Sequence, residues 1–340
     1  MKIIYLLNCE KKNGFGHLTR SKLVADELKK QKFKVFFLLI RPNKFFVNSL
    51  KSFKTYFLHQ SNQKIIAKKI NKLSKSQNFD SLFIDTYNLK KSFFKDLSKK
   101  IYKFLLSDGY YSYKNLNIIF DQSLSLPNKN NIISNKKFVI VNKEAFKIKK
   151  KNNLSRKYKL AIFLGANCKI SKIKNVFDAI NKINDSRYEY NFFILGKYSK
   201  KIINLFNNKK KLKIKLFINL NSKIFLKELN KSQLAIGEGG NSALERYVMQ
   251  IPSLNFLTNS NQKKILNLKL NNKIFYTNKK KYKNSYLYYF KEIILFLKNF
   301  KKLNKKLKYN IKYPDKFGAK RIALKVKSFT HLNHPHTKHS

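Results

Sequence analysis

The sequence predicts an α/β protein of two Rossmann-like domains with a ligand cleft between them. Three observations carry that expectation. Short uninterrupted apolar runs recur along the chain, separated by segments in which apolar residues fall at helical spacing. The succession of run, loop and helix starts twice, once at the N-terminus and again after a basic stretch near the middle. At 340 residues the chain is long enough for two domains, each able to bury its own core.

In the first half, residues 3–7 are wholly apolar and read as a buried strand, and residues 18–30 place Leu18, Val24, Ala25 and Leu28 on one helical face. With a second apolar run at 35–40, the chain opens as the βαβ unit of a parallel sheet. Further strands are expected at 81–85, 103–107, 117–120 and 138–141, with helices around 63–75 and 90–100. Residues 147–159 hold seven basic side chains and little apolar pattern, which marks them as an interdomain linker. A second series follows, with strands at 160–164, 191–195, 213–218 and 233–237 and helices at 173–183, 200–207, 222–230 and 241–249. The domains are accordingly expected at 1–148 and 159–328, with a frayed tail at 329–340. Four of the six histidines, His331, His334, His336 and His339, fall in or beside that tail, with no carboxylate or thiol at useful ligand spacing.

Hydrophobic residues make up 43% of the chain and aromatics 14%, so the high charge does not signal disorder. The formal charge of +58 would ordinarily point to nucleic acid. Only six of the 75 basic residues are Arg, the residue suited to bidentate phosphate and guanine recognition, and the lysines are spread along the whole chain. The charge is therefore read as a solvated background that helps steer an anionic ligand, and no specific nucleic-acid partner is expected. Cys9 and Cys168 do not make a disulfide framework, and no apolar run reaches the length of a membrane span. A cytoplasmic protein without membrane insertion is expected.

Only nine glycines occur, so their positions are informative. Gly14 and Gly16 are expected in the loop after the first strand, Gly165 after the first strand of the second half, Gly196 after its second, and Gly237, Gly239 and Gly240 around the end of its fourth. In open α/β sheets a ligand lies at the carboxyl ends of the strands, where glycine admits close backbone approach and helix N-termini donate to phosphate. Tight turns use glycine in the same way. Glycines in several such loops across two domains favour a phosphate-bearing ligand.

Within the segment from Gly14 to Arg20, His17 falls at a helix start, where the dipole disfavours imidazolium and keeps a neutral base available. A helix-start His bonding its own backbone is the alternative. Between Gly237 and Arg246, Asn241 or Ser242 is placed to cap a helix presenting N–H groups to a diphosphate. Glu245, further in, is either an acceptor for vicinal ribose hydroxyls or a carboxylate answering the helix dipole. Neither GxGxxG nor GxxxxGK[ST] spacing is present. Asp85, with Thr86 and Tyr87, and Asp108, with Gly109, end buried-looking strands, and Asn261 with Gln262 offers paired amides to sugar hydroxyls or starts another helix.

At these residues the chain resembles the UDP-2,4-diacetamido-2,4,6-trideoxy-β-L-altropyranose hydrolases of pseudaminic acid biosynthesis and, more distantly, the lipid II-forming N-acetylglucosaminyltransferases. Gly14 to Arg20 is similar to their GxGHxxR loop, Asp85 to Tyr87 to a DxY strand end, Asp108 to a central acidic strand end, Gly237 to Glu245 to GxGG(S/T)xxE, and Asn261 with Gln262 to an NQ pair. The chain departs from the pattern at Ala166 to Lys169, Asn142, Leu244, Met249 and Gln250. The resemblance implies a GT-B-like fold, uridine diphosphate held mainly by the second domain, and no cofactor or required metal. His17 would be the general base that activates water for attack at the anomeric carbon with inversion. Gly14, Gly16, Arg20, Asp85, Tyr87, Asp108, Gly165, Gly239, Gly240, Asn241, Ser242, Glu245, Asn261 and Gln262 would bind substrate. A glycosyltransferase using a UDP-sugar donor is the alternative, with a basic nucleic-acid-binding protein, resting on charge alone, as the remote one, and the enzymatic reading expects His17 and Glu245 to share one crevice.

Overall fold

The structure is a computed structural model that describes residues 1–10, 14–86, 89–109, 115–148, 158–166, 168–195, 199–207, 212–257, 275–277, 283–305 and 314–332. The chain divides into two compact units, Met1–Asn142 together with Tyr313–Ser340, and Lys143–Lys312.

The first unit runs β1 (Lys2–Asn8), α1 (Gly14–Lys30), β2 (Lys34–Ile40), α2 (Lys44–Ser49), β3 (Lys54–Leu58), α3 (Gln63–Gln77), β4 (Ser81–Asp85), α4 (Lys91–Asp96), β5 (Tyr102–Ser107), β6 (Ile118–Asp121) and β7 (Ile132–Ile133). Its seven strands pair in parallel in the order β3-β2-β1-β4-β5-β6-β7. The apolar run of β1 follows from that position. Ile3, Tyr5 and Leu7 enter the core on one face of the sheet, and Ile4 and Leu6 enter the core on the other. A strand covered on both faces has no polar side, which is why it reads as continuous rather than alternating.

The second unit contains α5 (Glu144–Lys147), β8 (Tyr158–Phe163), α6 (Ile170–Ile183), β9 (Tyr188–Ile194), α7 (Ser199–Asn207), β10 (Ile214–Ile218), α8 (Ser222–Asn230), β11 (Leu234–Glu238), α9 (Asn241–Val248), β12 (Ser253–Phe256), β13 (Phe275–Thr277) and α10 (Tyr286–Lys305). Its sheet is parallel, in the order β10-β9-β8-β11-β12-β13. α6 turns Ile173, Val176, Phe177 and Ile180 inward at spacings of three and four, and ends on Asn184 in the left-handed conformation. In each sheet the order reverses beside the first strand, between β1 and β4 and between β8 and β11, and the crevice at such a reversal is where doubly wound folds take ligands. The α/β class with two Rossmann-like units is thus borne out.

Three expectations require correction. Residues 138–141 do not form a strand. The segment leaves a 3-10 turn, Lys136–Phe138, and Gln122 takes the hydrogen bonds a neighbouring strand would have taken, Nε2 donating to the Phe138 carbonyl at 3.1 Å and Oε1 accepting from Ile140 N–H at 2.8 Å. The change of unit comes at Asn142, ahead of the basic stretch, because α5 packs with α8 and α9. The C-terminal region does not stay with the second series. A last helix, α11 (Gly318–Leu332), packs on α1 and on the 3-10 turn, and Thr330, expected in the frayed tail, is wholly buried. His334, His336 and His339 lie outside the described residues.

The α11 contact is close at its first residue. A Cβ added to Gly318 would lie 2.1 Å from the carbonyl oxygen of Val139, a distance only glycine avoids. Arg321 locks the same end, donating to the Lys137 carbonyl at 2.8 Å and to both Asp315 oxygens at 2.7 Å. Gly318→Ala is therefore expected to cost about 1–3 kcal/mol through forced separation of α11 from its seat. A lowered denaturant midpoint, with Leu324→Ala on the exposed side of α11 as the near-neutral control, checks it.

Candidate functional site

In the first unit the sheet register sets Leu7 of β1 beside Asp85 of β4, and Asp108 follows the end of β5, the next strand. α1 begins at Gly14, so Gly14 and Gly16 lie in its first turn rather than in a loop. His17, Arg20 and Ser21, at spacings of three and four, share one helical face, and that face meets Asp85. The His17 Nδ1 lies 2.8 Å from Asp85 Oδ1. Arg20 donates Nε to Asp85 Oδ2 at 3.0 Å and Nη2 to Oδ1 at 2.6 Å, and its Nη1 reaches both Asp108 oxygens at 2.7 and 2.9 Å. The Ser21 hydroxyl donates to Asp85 Oδ2 at 2.7 Å.

This cluster is buried. His17, Arg20, Asp85 and Asp108 are all 6% exposed or less. Burial alone would raise the Asp85 carboxyl, but the Arg20 guanidinium and the hydrogen bonds from Arg20 and His17 overcome it and hold the group well below the usual carboxylate range. An ionised Asp85 facing Nδ1 requires that nitrogen to carry the proton, which puts the basic lone pair of a neutral ring on Nε2. Such a pairing of imidazole and carboxylate is chemically able to serve as a base with an orienting group. The side chains of Arg20, Asp85 and Asp108 bind one another, which suits positioning better than contact with ligand. Sequence reading missed Ser21, although its place four residues after His17 was the available signal.

In the second unit β11 ends at Glu238, and α9 starts at Asn241 with Gly240 as its N-cap. Neither Asn241 nor Ser242 caps the helix, as Gly240 occupies that position with no side-chain bond. Instead Ser242 Oγ accepts from Arg246 Nη1 at 3.2 Å. Arg246 is 1% exposed and also donates Nη2 to the Glu238 carbonyl at 2.9 Å and to Asn255 Oδ1 at 2.6 Å, tying the strand end, the helix start and β12 together. Its burial pulls the guanidinium down to about 10, against the neighbouring Glu245 and Glu238. Arg246 closed the glycine-bearing segment in sequence without an assigned role and Asn255 was not singled out, since each acts through a contact that only folding creates.

Asn241, Ser242 and Glu245 share the partly accessible face of α9, while Ala243, Leu244, Arg246 and Tyr247 are buried. Burial pushes the Glu245 carboxyl up to about 7, with Arg246 acting in the opposite sense. Gly239 precedes the cap, its N–H donating to the Phe256 carbonyl at 3.3 Å, and Gly165 follows β8 at φ +91°. Tyr87, Asn261 and Gln262 lie outside the described residues. Among the described residues no group of three or more His, Cys, Asp or Glu is placed to hold a metal ion, and no helix is long and apolar enough to cross a membrane.

The Glu245 environment sets the sign of a pH effect. Its folded pKa exceeds the ordinary 4.5, so the protonated form is favoured in the folded state. The group costs no stability below about pH 4.5, and the folded protein bears the cost of the buried charge as pH rises through about 7. Glu245→Gln should stabilise by about 2–3 kcal/mol at pH 8 and leave stability at pH 4 unchanged. Urea unfolding at the two pH values measures the difference.

No protein-family model matches the sequence, and no curated protein matches it. Solved structures do. A Staphylococcus aureus MnaA–UDP co-structure superposes with a TM-score of 0.71 at 11% identity, covering 97% of each chain. The Neisseria meningitidis UDP-GlcNAc 2-epimerase bound to UDP-GlcNAc gives 0.67 at 13% identity, covering 96% of this chain and all of the other. The spinosyn rhamnosyltransferase SpnG complexed with thymidine diphosphate gives 0.59 at 11%, covering 97% and 100%. At these identities the likeness is one of fold, the GT-B-like pair of Rossmann units.

Proposed function

We propose that this protein hydrolyses a UDP-linked amino sugar, and that the sugar is of the diacetamido-trideoxy class. The observation that carries the reading is the His17–Asp85 pair at the carboxyl ends of β1 and β4, with Nδ1 fixed on the carboxylate at 2.8 Å. His17 Nε2 takes a proton from water, the water oxygen bonds to the anomeric carbon from the face opposite the nucleotide, and the bond from that carbon to the phosphate oxygen breaks. UDP leaves with the electron pair and the sugar configuration inverts. Arg20 and Asp108 hold Asp85 in place, and Asp85 keeps the ring in its reactive tautomer.

The nucleotide belongs to the second unit in this reading. Gly239 and Gly240 bring backbone up to the diphosphate, the start of α9 supplies donors and positive dipole, and Glu245 accepts from the ribose hydroxyls. Gly165 leaves room beside them. Tyr87, Asn261 and Gln262 orient the sugar. Support comes from the ordered motifs of the sequence and from the fold shared with proteins solved with UDP and UDP-GlcNAc. The same fold in a rhamnosyltransferase favours one second reading, a transferase whose acceptor replaces water.

Turnover of UDP amino sugars in oxygen-18 water, with chelator present, separates the cases. Hydrolysis places the label on the sugar carbon, and label on the phosphate overturns attack at that carbon. A transferase is slow in water alone and accelerates with a sugar or lipid acceptor. His17→Asn should lower turnover by roughly 10²–10⁴-fold while UDP still binds. Undiminished turnover in that variant removes His17 from the mechanism.

A further inference from the structure

At the strand-order reversal of the second unit stands an ion pair that none of the glycine motifs accounts for. Among the described residues only two lysines are buried, Lys103 and Lys172. Lys103 Nζ donates to the Ile101 carbonyl at 2.9 Å, away from any carboxylate bond of its own. Lys172 lies in the first turn of α6, its side chain 8% exposed, and its ammonium pairs with Oε1 of Glu238, the last residue of β11. The other Glu238 oxygen comes 3.0 Å from where a Cβ on Gly165 would sit. The turn after β8 is therefore shaped around this carboxylate, and Gly165 is required there twice over, by its φ of +91° and by Glu238.

The position is a poor one for a lysine. A cation at a helix N-terminus opposes the dipole, and the Lys172 ammonium gives up most of its water for a carboxylate that is itself only partly accessible. What the position does offer is proximity to the α9 start. Glu238 immediately precedes Gly239 and Gly240, and its carbonyl is gripped by Arg246, which also holds Ser242. A diphosphate seated on that helix start would meet the Glu238 carboxylate as a like charge and the Lys172 ammonium, paired with that carboxylate, as a countercharge.

We propose that Lys172 is a phosphate-binding cation, held by Glu238 in the free protein and passed to the diphosphate of a nucleoside diphosphate ligand when it binds. This rests on the UDP reading above and adds to it a residue outside the recognised motifs. No bond is made or broken; one ion pair replaces another. Glu238 then acts as an internal competitor for the cation, which sets how tightly the anion is held.

Titration of the full chain with UDP and with uridine tests this. Lys172→Met should weaken UDP binding roughly ten- to hundredfold and leave uridine binding unchanged, because uridine has no phosphate to lose a charge-assisted bond. Glu238→Gln should tighten UDP binding. The double variant Lys172→Gln with Glu238→Gln leaves no buried unpaired charge, and compared with Glu238→Gln alone it isolates the ammonium even where Lys172→Met folds poorly. UDP binding equal in that double variant and in Glu238→Gln overturns the proposal, as does a Glu238→Gln loss as large as that of Lys172→Met, the mark of a structural brace. A wild-type protein that does not bind UDP removes the UDP reading itself, whereas wild-type binding with indifferent variants removes only Lys172.

Discussion

The guanidinium of Arg20 between two buried carboxylates is the constraint on which the first unit's candidate site rests. Asp85 and Asp108 are each 1% exposed, and two carboxylates at adjacent strand ends would repel each other and lose their hydration without a cation between them. Arg20 resolves both problems with one planar group, forked onto Asp85 and turned toward Asp108. A lysine offers a single point charge and no fork. Because Arg20 fixes Asp85 and Asp85 fixes the His17 ring, the orientation of the proposed base descends from the Arg20–Asp85 contact.

A buried arginine performs a comparable task in the second unit. Arg246 reaches from α9 to the end of β11 and to Asn255 on β12, so the backbone around Gly239 and Gly240 is held by a side chain six or more residues away in sequence. Of the six arginines in a chain with 75 basic residues, two serve as these internal braces. The lysine-rich background does not substitute for them, since among the described residues every lysine but Lys103 and Lys172 keeps some exposure to solvent.

The same economy governs how the chain ends. α11 returns to the first unit and seats Gly318 against the Val139 carbonyl, with Arg321 bridging to Lys137 and Asp315. α11 packs on α1, the helix that carries His17, so residues more than 300 positions away in sequence help to hold the proposed base.

Much of the fold was legible in the sequence because strands buried on both faces are continuous apolar runs. Ser81–Asp85 and Ser222–Asn230 fall where spacing placed them, and in the second sheet Gly165 and Gly237 lie at the ends of β8 and β11, the two strands that flank its reversal. Short edge elements such as β3 and β7 were not legible, since partial burial leaves no such run. His17 and the acidic strand ends stood out because helix starts and strand ends restrict residue type locally. That Asp85 and Asp108 share one arginine, that Gly240 rather than Asn241 caps α9, that Gln122 replaces a strand at 138–141, and that α11 belongs with α1 were decided only by tertiary structure. Each depends on a contact between segments distant in sequence. Periodicity and propensity are local, so they specify which elements form, while the pairing of buried charges and the close approach of backbones exist only after the chain has closed upon itself.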